Sequence, residues 1–318
     1  MTRALVTGGA GFIGSNLVDQ LLANGDTVMA VDNLSTGHLR NLVAAQRNQE
    51  FSFLEADITD PATVGAMSAF APQVIYHLAA QADVRVSVAN PVFDATVNVI
   101  GTLRVIEAAV QCGAQRIVAA ASGGTLYGEV APEQLPIVET TPWSPLAPYG
   151  ISKKVMIDYL RFARAIHGIE TTSLALGNVF GPRQDPHGEA GVIAIFFQHY
   201  EAGTTPTVFG TGDQTRDFIF VDDIVAAFVA AGATTGTGEL INIGTGVETS
   251  VNHLVTFMNR ITGRNVVPTT APARPGELDR SVLSISKAER ILGWRPQVGI
   301  EDGMSRTWSW FETSQLEG

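Results

Sequence analysis

The sequence predicts an α/β protein, a doubly wound parallel sheet carrying a smaller C-terminal α/β lobe. Three observations predict it: strand-like and helical runs alternate through residue 176, a glycine-rich turn joins the first strand to the first helix, and the rhythm changes beyond Leu176. Arg3–Thr7 is a short apolar strand that runs into glycines and then into a helical pattern from Phe12 to Ala23. Thr27–Val31 is the second strand and ends at Asp32. Further strands are expected at Phe51–Glu55, Val74–Leu78, Arg116–Ala121 and Thr171–Leu176. Helical patterns separate them, notably Pro91–Cys112 and Ala147–His167, the latter stopped by Gly168. Strands alternating with helices over such a length require a parallel sheet covered on both faces. Residues 1–176 are therefore read as the first domain. Residues 177–318 are richer in Gly, Pro and Thr, with short strands (Thr207–Phe209, Glu239–Ile243) among helices at Asp222–Ala231 and Val251–Ile261. They are read mainly as a second lobe, with segments near 218–244 returning to the first sheet.

With 318 residues, 45% of them hydrophobic and 16% charged, the chain can bury a sizeable core. Its net charge of −11 argues against a nucleic-acid partner, since no basic stripe exists to displace counterions from phosphates. A phosphate-bearing ligand would need local arginines to overcome that field. The single cysteine, Cys112, excludes an internal disulfide and reads as a small hydrophobe in an apolar helix. The histidines show no ligand spacing, so no catalytic metal is expected. Only Met1-Thr2-Arg3 opens the chain, so no signal peptide is expected, and no apolar run approaches the ~18 residues of a membrane span. The expectation is a soluble, cytoplasmic protein.

Two helical stretches are apolar on nearly every side. Pro91–Cys112 carries Val92, Phe93, Val97, Val99, Ile100, Leu103, Val105 and Ile106; the later helix carries Val155, Met156, Ile157, Tyr159, Leu160, Phe162 and Ile166. A helix lying on a sheet needs one apolar stripe, so a second covered face is required. Either the second lobe covers it, or the two helices meet their symmetry mates as a four-helix bundle in a homodimer. The dimer is favoured.

Thr7-Gly8-Gly9-Ala10-Gly11-Phe12-Ile13-Gly14 sits where the first strand turns into the first helix, and Gly8, Gly11 and Gly14 have the spacing of a dinucleotide loop. The turn needs a residue free of Cβ, the pyrophosphate needs close backbone approach, and the helix N-terminus offers unpaired N–H groups to phosphate. Asp32 ends the second strand 18 residues beyond Gly14, where a carboxylate can bridge ribose hydroxyls. It would repel a 2′-phosphate, so NAD is expected rather than NADP. Asn33, Ser35, Thr36 and Gly37 follow as a polar loop able to hold the adenosine end.

Tyr149 and Lys153 stand four residues apart near the start of the long helix, so both side chains project from one face. A tyrosine with an ordinary pKa near ~10 is a poor base at neutral pH, and a cationic lysine beside it favours the phenolate. Together with Asp32-Asn33-Leu34-Ser35-Thr36-Gly37, His77-Leu78-Ala79-Ala80-Gln81 and Asn178-Val179-Phe180-Gly181-Pro182-Arg183, this pattern resembles the extended short-chain dehydrogenase/reductase family. Its order and spacing run along nearly the whole chain and are most similar to UDP-glucose 4-epimerases and their UDP-uronate-epimerising relatives.

The resemblance implies a Rossmann domain that binds NAD, a tyrosine base, a lysine that also holds the nicotinamide ribose, and a neighbouring hydroxyl. It places Asp57 and Ile58 beside the adenine, and Leu78, Ala79, Ala80, Gln81 and Asn98 along the cofactor cleft. The family's helper Ser or Thr lies four residues before the tyrosine of a V/L-Y-G turn. Here that position is Gly123, with Ser122 before it and Thr125 after it. These two hydroxyls are the expected helpers.

The second lobe supplies loop arginines, Arg183, Arg216 and Arg274, whose guanidinium forks suit diphosphate oxygens. The resemblance carries Arg216 and Arg274 onto pyrophosphate contacts, Glu277 onto a uridine ribose contact and Asn178 onto a substrate diphosphate contact. It assigns the uracil to backbone groups around Gly191-Val192 and Thr207-Val208-Phe209, and Arg85 lies within reach of the sugar or phosphate. The expected reaction is 4-epimerisation of a UDP-sugar, either the glucose/galactose pair or the glucuronate/galacturonate pair, the latter because Arg183 could meet a carboxylate. The alternatives are 4,6-dehydration or decarboxylation of a uronate. Those relatives carry an acid near the helper hydroxyl, where this chain has Gly123-Gly124-Thr125. A non-catalytic NAD-sensing scaffold would need neither Tyr149 nor Lys153.

Overall fold

The structure, a computed structural model, describes residues 1–187, 191–234, 238–273 and 278–314. The first winding comprises β1 (Arg3–Thr7), α1 (Phe12–Ala23), β2 (Thr27–Asp32), β3 (Phe51–Glu55), α2 (Pro61–Ala69) and β4 (Val74–His77). Next come α3 (Val84–Ala89), α4 (Pro91–Ala95), a π-helical turn (Thr96–Ile100), α5 (Gly101–Cys112), β5 (Arg116–Ser122), α6 (Gly123–Leu126), α7 (Pro148–His167) and β6 (Glu170–Leu176). The remainder holds β7 (Asn178–Phe180), α8 (Val192–Glu201), β8 (Thr207–Phe209), β9 (Thr215–Phe220), α9 (Val221–Ala233), β10 (Leu240–Ile243), β11 (Glu248–Ser250), α10 (Val251–Thr262), β12 (Thr269–Ala271), α11 (Ser286–Leu292) and α12 (Ile300–Ser314).

Seven strands form one parallel sheet in the order β3-β2-β1-β4-β5-β6-β10. Period-two alternation explains the two cores: Ala4 and Val6 join one apolar cluster while Leu5, between them, joins the other. α1 and α9 cover one face, α5 and α7 the other. The chain leaves β1 toward β2 on one side and returns through β4 on the other. A crevice opens at this reversal, beyond the carboxyl ends of the strands, and ligands of such sheets bind there.

The returning segments are α9 and β10, with β10 pairing on β6. Residues 218–220, expected in the large sheet, instead belong to β9, which pairs with β7 and β11 in a three-stranded sheet. β8 and β12 form a separate parallel pair. The helix expected over Pro91–Cys112 is interrupted after its fifth residue by the π-helical turn. Asn90 caps it, accepting from the Phe93 N–H at 3.1 Å, with Pro91 at the first position. Gly168 (φ +69°) ends α7 in the left-handed conformation, as expected.

The second lobe does not cover the outer apolar faces. Val92 is 75% exposed and Ile166 67% exposed, with Phe93, Ile100, Ile151, Tyr159 and Phe162 also exposed. The lobe's helices α8, α10 and α12 pack on one another instead. Among the described residues, no helix is long and apolar enough to cross a membrane.

Candidate active site

The glycine loop lies at the reversal between β1 and β4. Gly8 has φ +70°, and a Cβ there would lie 2.7 Å from the Ala79 backbone nitrogen. The two loops that wall the crevice thus touch through a residue that must be glycine. A Cβ at Gly14 would collide with the Gly8 carbonyl oxygen, so α1 begins directly on the loop. No side chain caps α1 at Gly11, which leaves its first-turn N–H groups for a ligand. Phe12 and Ile13 open that helix.

The Asp32 carboxylate accepts from the Ala10 N–H at 3.0 Å and the Leu34 N–H at 2.8 Å. Burial raises its pKa, while these backbone donors pull it back. A Cβ at Gly37 would lie 2.9 Å from that carboxylate, so the polar loop folds down onto it. Asn33 accepts from the Ser35 N–H at 3.1 Å and donates to Asp57 at 2.9 Å, with Thr36 exposed beside them. Burial opposes it, yet donors from Thr59 and Asn33 hold the Asp57 carboxyl below the usual range. The Ile58 side chain turns into the core, where Gly101 makes room for it, so any contact with an adenine falls to its backbone.

Leu78, Ala79, Ala80 and Gln81 leave β4 half-buried along the crevice. Beneath them His77 is fully buried between Thr7 (Oγ1 to Nδ1, 2.8 Å) and Thr102 (Nε2 to Oγ1, 3.0 Å). Burial first, and the Lys153 cation second, push its pKa down to about 3. Thr102 donates its hydroxyl proton to the Asn98 carbonyl at 2.6 Å, so it accepts from His77 Nε2–H. The neutral imidazole then accepts from Thr7, whose oxygen accepts the Ala79 N–H at 3.2 Å. One relay of defined direction therefore runs from the cleft loop to the π-helical turn. The side chain of Asn98, expected to line the cleft, instead brackets the loop, accepting from the Gln81 N–H at 3.0 Å and donating to the Gln81 carbonyl at 2.8 Å.

α7 carries Tyr149 and Lys153 to the same crevice. Lys153 is only 3% exposed; its Nζ donates to the Ala120 carbonyl of β5 at 2.9 Å and stands 5.8 Å from the centre of the Tyr149 ring. A cation held in a poorly solvated place acts strongly on a neighbouring phenol. Gly150 lets α6 reach this turn, since a Cβ there would lie 2.6 Å from the Thr125 carbonyl oxygen. Gly123 is filled by neighbours: a Cβ would lie 2.6 Å from the Leu283 side chain and 3.0 Å from the Leu176 carbonyl oxygen. Ser122 ends β5, and the Thr125 Oγ1 is buried without a hydrogen-bond partner.

The expected substrate residues are only partly gathered. Arg85 forks onto Asp83 at 2.6 and 3.1 Å on the surface. Arg183 (φ +72°) ion-pairs with Asp19 of α1 at 2.6 Å, so the carboxylate it meets belongs to this chain. Arg216 lies on β9 and donates to the Thr215 carbonyl at 2.8 Å. The neighbouring Asp217 is buried and accepts from Thr245, Gly246 and Leu283, which locks that strand to two loops. Asn178 begins β7, Gly191-Val192 opens α8, and Thr207-Val208-Phe209 is β8. Arg274 and Glu277 lie outside the described residues. Among those described, no group of three or more His, Cys, Asp or Glu could hold a metal ion.

Sequence reasoning missed Asp94 and Ser152. Asp94 is fully buried, and Ser152 donates to it at 2.6 Å from α7. The signal available was an acid on an otherwise apolar helix, four residues before Asn98.

A dinucleotide loop at the switch point, with a tyrosine and a buried lysine one helical turn apart beside it, defines an extended short-chain dehydrogenase/reductase. The chain belongs to that family: the profile described as GDP-mannose 4,6 dehydratase matches residues 5–307. It is 47% identical over 309 residues to the UDP-glucose 4-epimerase of Mycolicibacterium smegmatis, covering 97% of this chain and 98% of that one. The UDP-glucose 4-epimerase of Thermotoga maritima, solved with UDP-glucose, superposes with a TM-score of 0.94 at 41% identity, covering 98% and 99% of the two chains. The Thermus thermophilus UDP-glucose 4-epimerase, solved with NAD, gives 0.89 at 40% identity, with the same coverages.

Proposed function

We propose that this chain is an NAD-dependent 4-epimerase that interconverts UDP-glucose and UDP-galactose, with Tyr149 as the proton acceptor and donor at the sugar 4-oxygen. The observation that carries the reading is the buried Lys153 cation 5.8 Å from the Tyr149 ring, at the mouth of the dinucleotide crevice. When bound, NAD supplies reversible acceptance of hydride from C4, so that the sugar passes through a 4-keto form. Gly8, Gly11 and Gly14 would hold its pyrophosphate and Asp32 its ribose. Tyr149, as phenolate, takes the proton from the 4-hydroxyl and returns it once the sugar has turned. Lys153 keeps the phenolate accessible at neutral pH.

Two features favour a neutral hexose and epimerisation. Arg183 pairs through one nitrogen with Asp19, which leaves less of its guanidinium for a uronate carboxylate. The stretch Ser122-Gly123-Gly124-Thr125 holds no acid to drive elimination or to assist decarboxylation. Arg216, Arg274, Glu277 and Asn178 are proposed to hold the diphosphate and ribose, and the backbones at Gly191-Val192 and Thr207–Phe209 the uracil. The reading is tested by giving purified protein UDP-glucose and UDP-glucuronate side by side. UDP-galactose is the expected product; a 4-keto-6-deoxy sugar or a UDP-pentose overturns it.

Ser122 and Thr125 are the proposed helper hydroxyls, Thr125 foremost because its buried oxygen lacks a partner in the protein. Thr125→Val removes that oxygen without changing shape. The variant is expected to melt no lower than the parent, since an unsatisfied buried hydroxyl costs about 1–3 kcal/mol, while kcat falls by about tenfold or more. Unchanged kcat would remove Thr125 from the site. The exposed apolar faces of α4 and α7 are proposed to meet their symmetry mates in a homodimer. Sedimentation should give twice the 33.7 kDa chain mass, and Ile166→Glu should return it to one. A parent of single-chain mass contradicts this.

A further inference from the structure

We propose that Asp94 is a positioning residue that ties the catalytic helix to the loop after β4. Its carboxylate stands between the two walls of the active site. Oδ1 accepts from Gln81 Nε2 and from Asn98 Nδ2, both at 3.0 Å, and Oδ2 accepts from Ser152 Oγ at 2.6 Å. All three partners present donors, which suits a carboxylate because it can only accept. The same property fixes their orientations. Asn98 must turn its amide nitrogen to Asp94, leaving its oxygen for the Gln81 N–H. Gln81 must likewise turn its nitrogen inward, leaving its oxygen for the Asp83 N–H at 2.7 Å. Ser152 must point its proton at Asp94.

The consequences reach both halves of the site. On one side the backbone of Gln81 is held at its N–H and its carbonyl, which sets the cleft loop Leu78–Gln81. On the other, Ser152 immediately precedes Lys153 and follows Tyr149 by three residues, so its bond sets how α7 is rotated where both side chains project. Asp94 reaches Ser152 across 58 residues of sequence from a fully buried place on α4. Burying a carboxylate is costly, and an apolar residue of similar size would serve packing alone as well or better. What the carboxylate adds is a defined geometry between loop and helix.

This inference rests on the 4-epimerase reading, and its test uses the NAD-loaded protein with UDP-glucose as the probe. Asp94→Ala, Asp94→Asn and Ser152→Ala are compared for kcat, KM and the rate at which bound NAD is released. In Asp94→Ala both walls loosen: kcat is expected to fall by about tenfold to a hundredfold with KM changed by less than about threefold, and NAD is released faster. In Ser152→Ala only the helix loosens, so kcat falls while NAD release stays at the parental rate. Asp94→Asn keeps one acceptor oxygen for Gln81 and Asn98, and parental NAD release should return. Should Asp94→Ala fail to fold, Ser152→Ala still decides the matter, because a parental kcat in that folded variant overturns the proposal. Parental kcat in folded Asp94→Ala or Ser152→Ala, or a loss seen only in melting temperature, overturns the proposal. A parent inactive on UDP-sugars defeats the 4-epimerase reading instead, whereas an active parent matched by its variants defeats only the role of Asp94.

Discussion

Tyr149→Phe is expected to lower kcat for epimerisation by about 10²- to 10⁴-fold while bound NAD stays in place. The substitution removes one oxygen and nothing else. The ring, its approach to Lys153 and the bond from Lys153 to the Ala120 carbonyl all remain possible, so the site keeps its shape. What is lost is the group that accepts the 4-hydroxyl proton. Lys153 does not replace it, because its Nζ is already committed to a backbone carbonyl and, as a cation, has no lone pair to accept with. Steady-state rates, with NAD content read on the same sample, check both halves. Turnover at the parental rate would exclude Tyr149 as the base.

The second large effect is on the cofactor. Gly8→Ala is expected to lower retained NAD by about a hundredfold in affinity and to destabilise the fold by at least about 1–2 kcal/mol. Two causes act together. A side chain at φ +70° is strained, and its Cβ would press on the Ala79 backbone nitrogen from 2.7 Å. Relief requires the β4 loop to move away, which widens the crevice where the nicotinamide end would lie. Gly14→Ala should act similarly by pushing α1 off the Gly8 carbonyl. Thermal unfolding and the NAD content of purified protein measure the two consequences, and a Gly8→Ala protein with parental NAD content would contradict the placement of the cofactor.

The strands, the glycine loop, Asp32 and the Tyr149–Lys153 pair were legible because each is a local signal: period-two apolar runs, a fixed glycine spacing, and a four-residue step on a helix. Partner choice was not legible. Arg183 reads in sequence as a free loop cation, and only the fold brings Asp19, 164 residues earlier, to within 2.6 Å of it. Arg85 likewise reads as a reach toward ligand, yet its own helix cap, Asp83, holds it at the surface. Ile58 sits at the expected loop, but which way it faces depends on the space left by Gly101. The π-helical turn escaped for a related reason: an added residue in one turn leaves the apolar pattern of a helix almost unchanged. Gly123 was recognised as a departure from the family, and its cause, the Leu283 side chain, lies 160 residues away in a segment that no local pattern links to it.

The most direct test of the central claim follows UDP-glucose carrying deuterium at C4, added to purified protein without further cofactor. The account predicts UDP-galactose with the deuterium retained at C4, because the hydrogen leaves and returns within the closed site. Absence of UDP-galactose, or its appearance with the label exchanged into solvent, would contradict it.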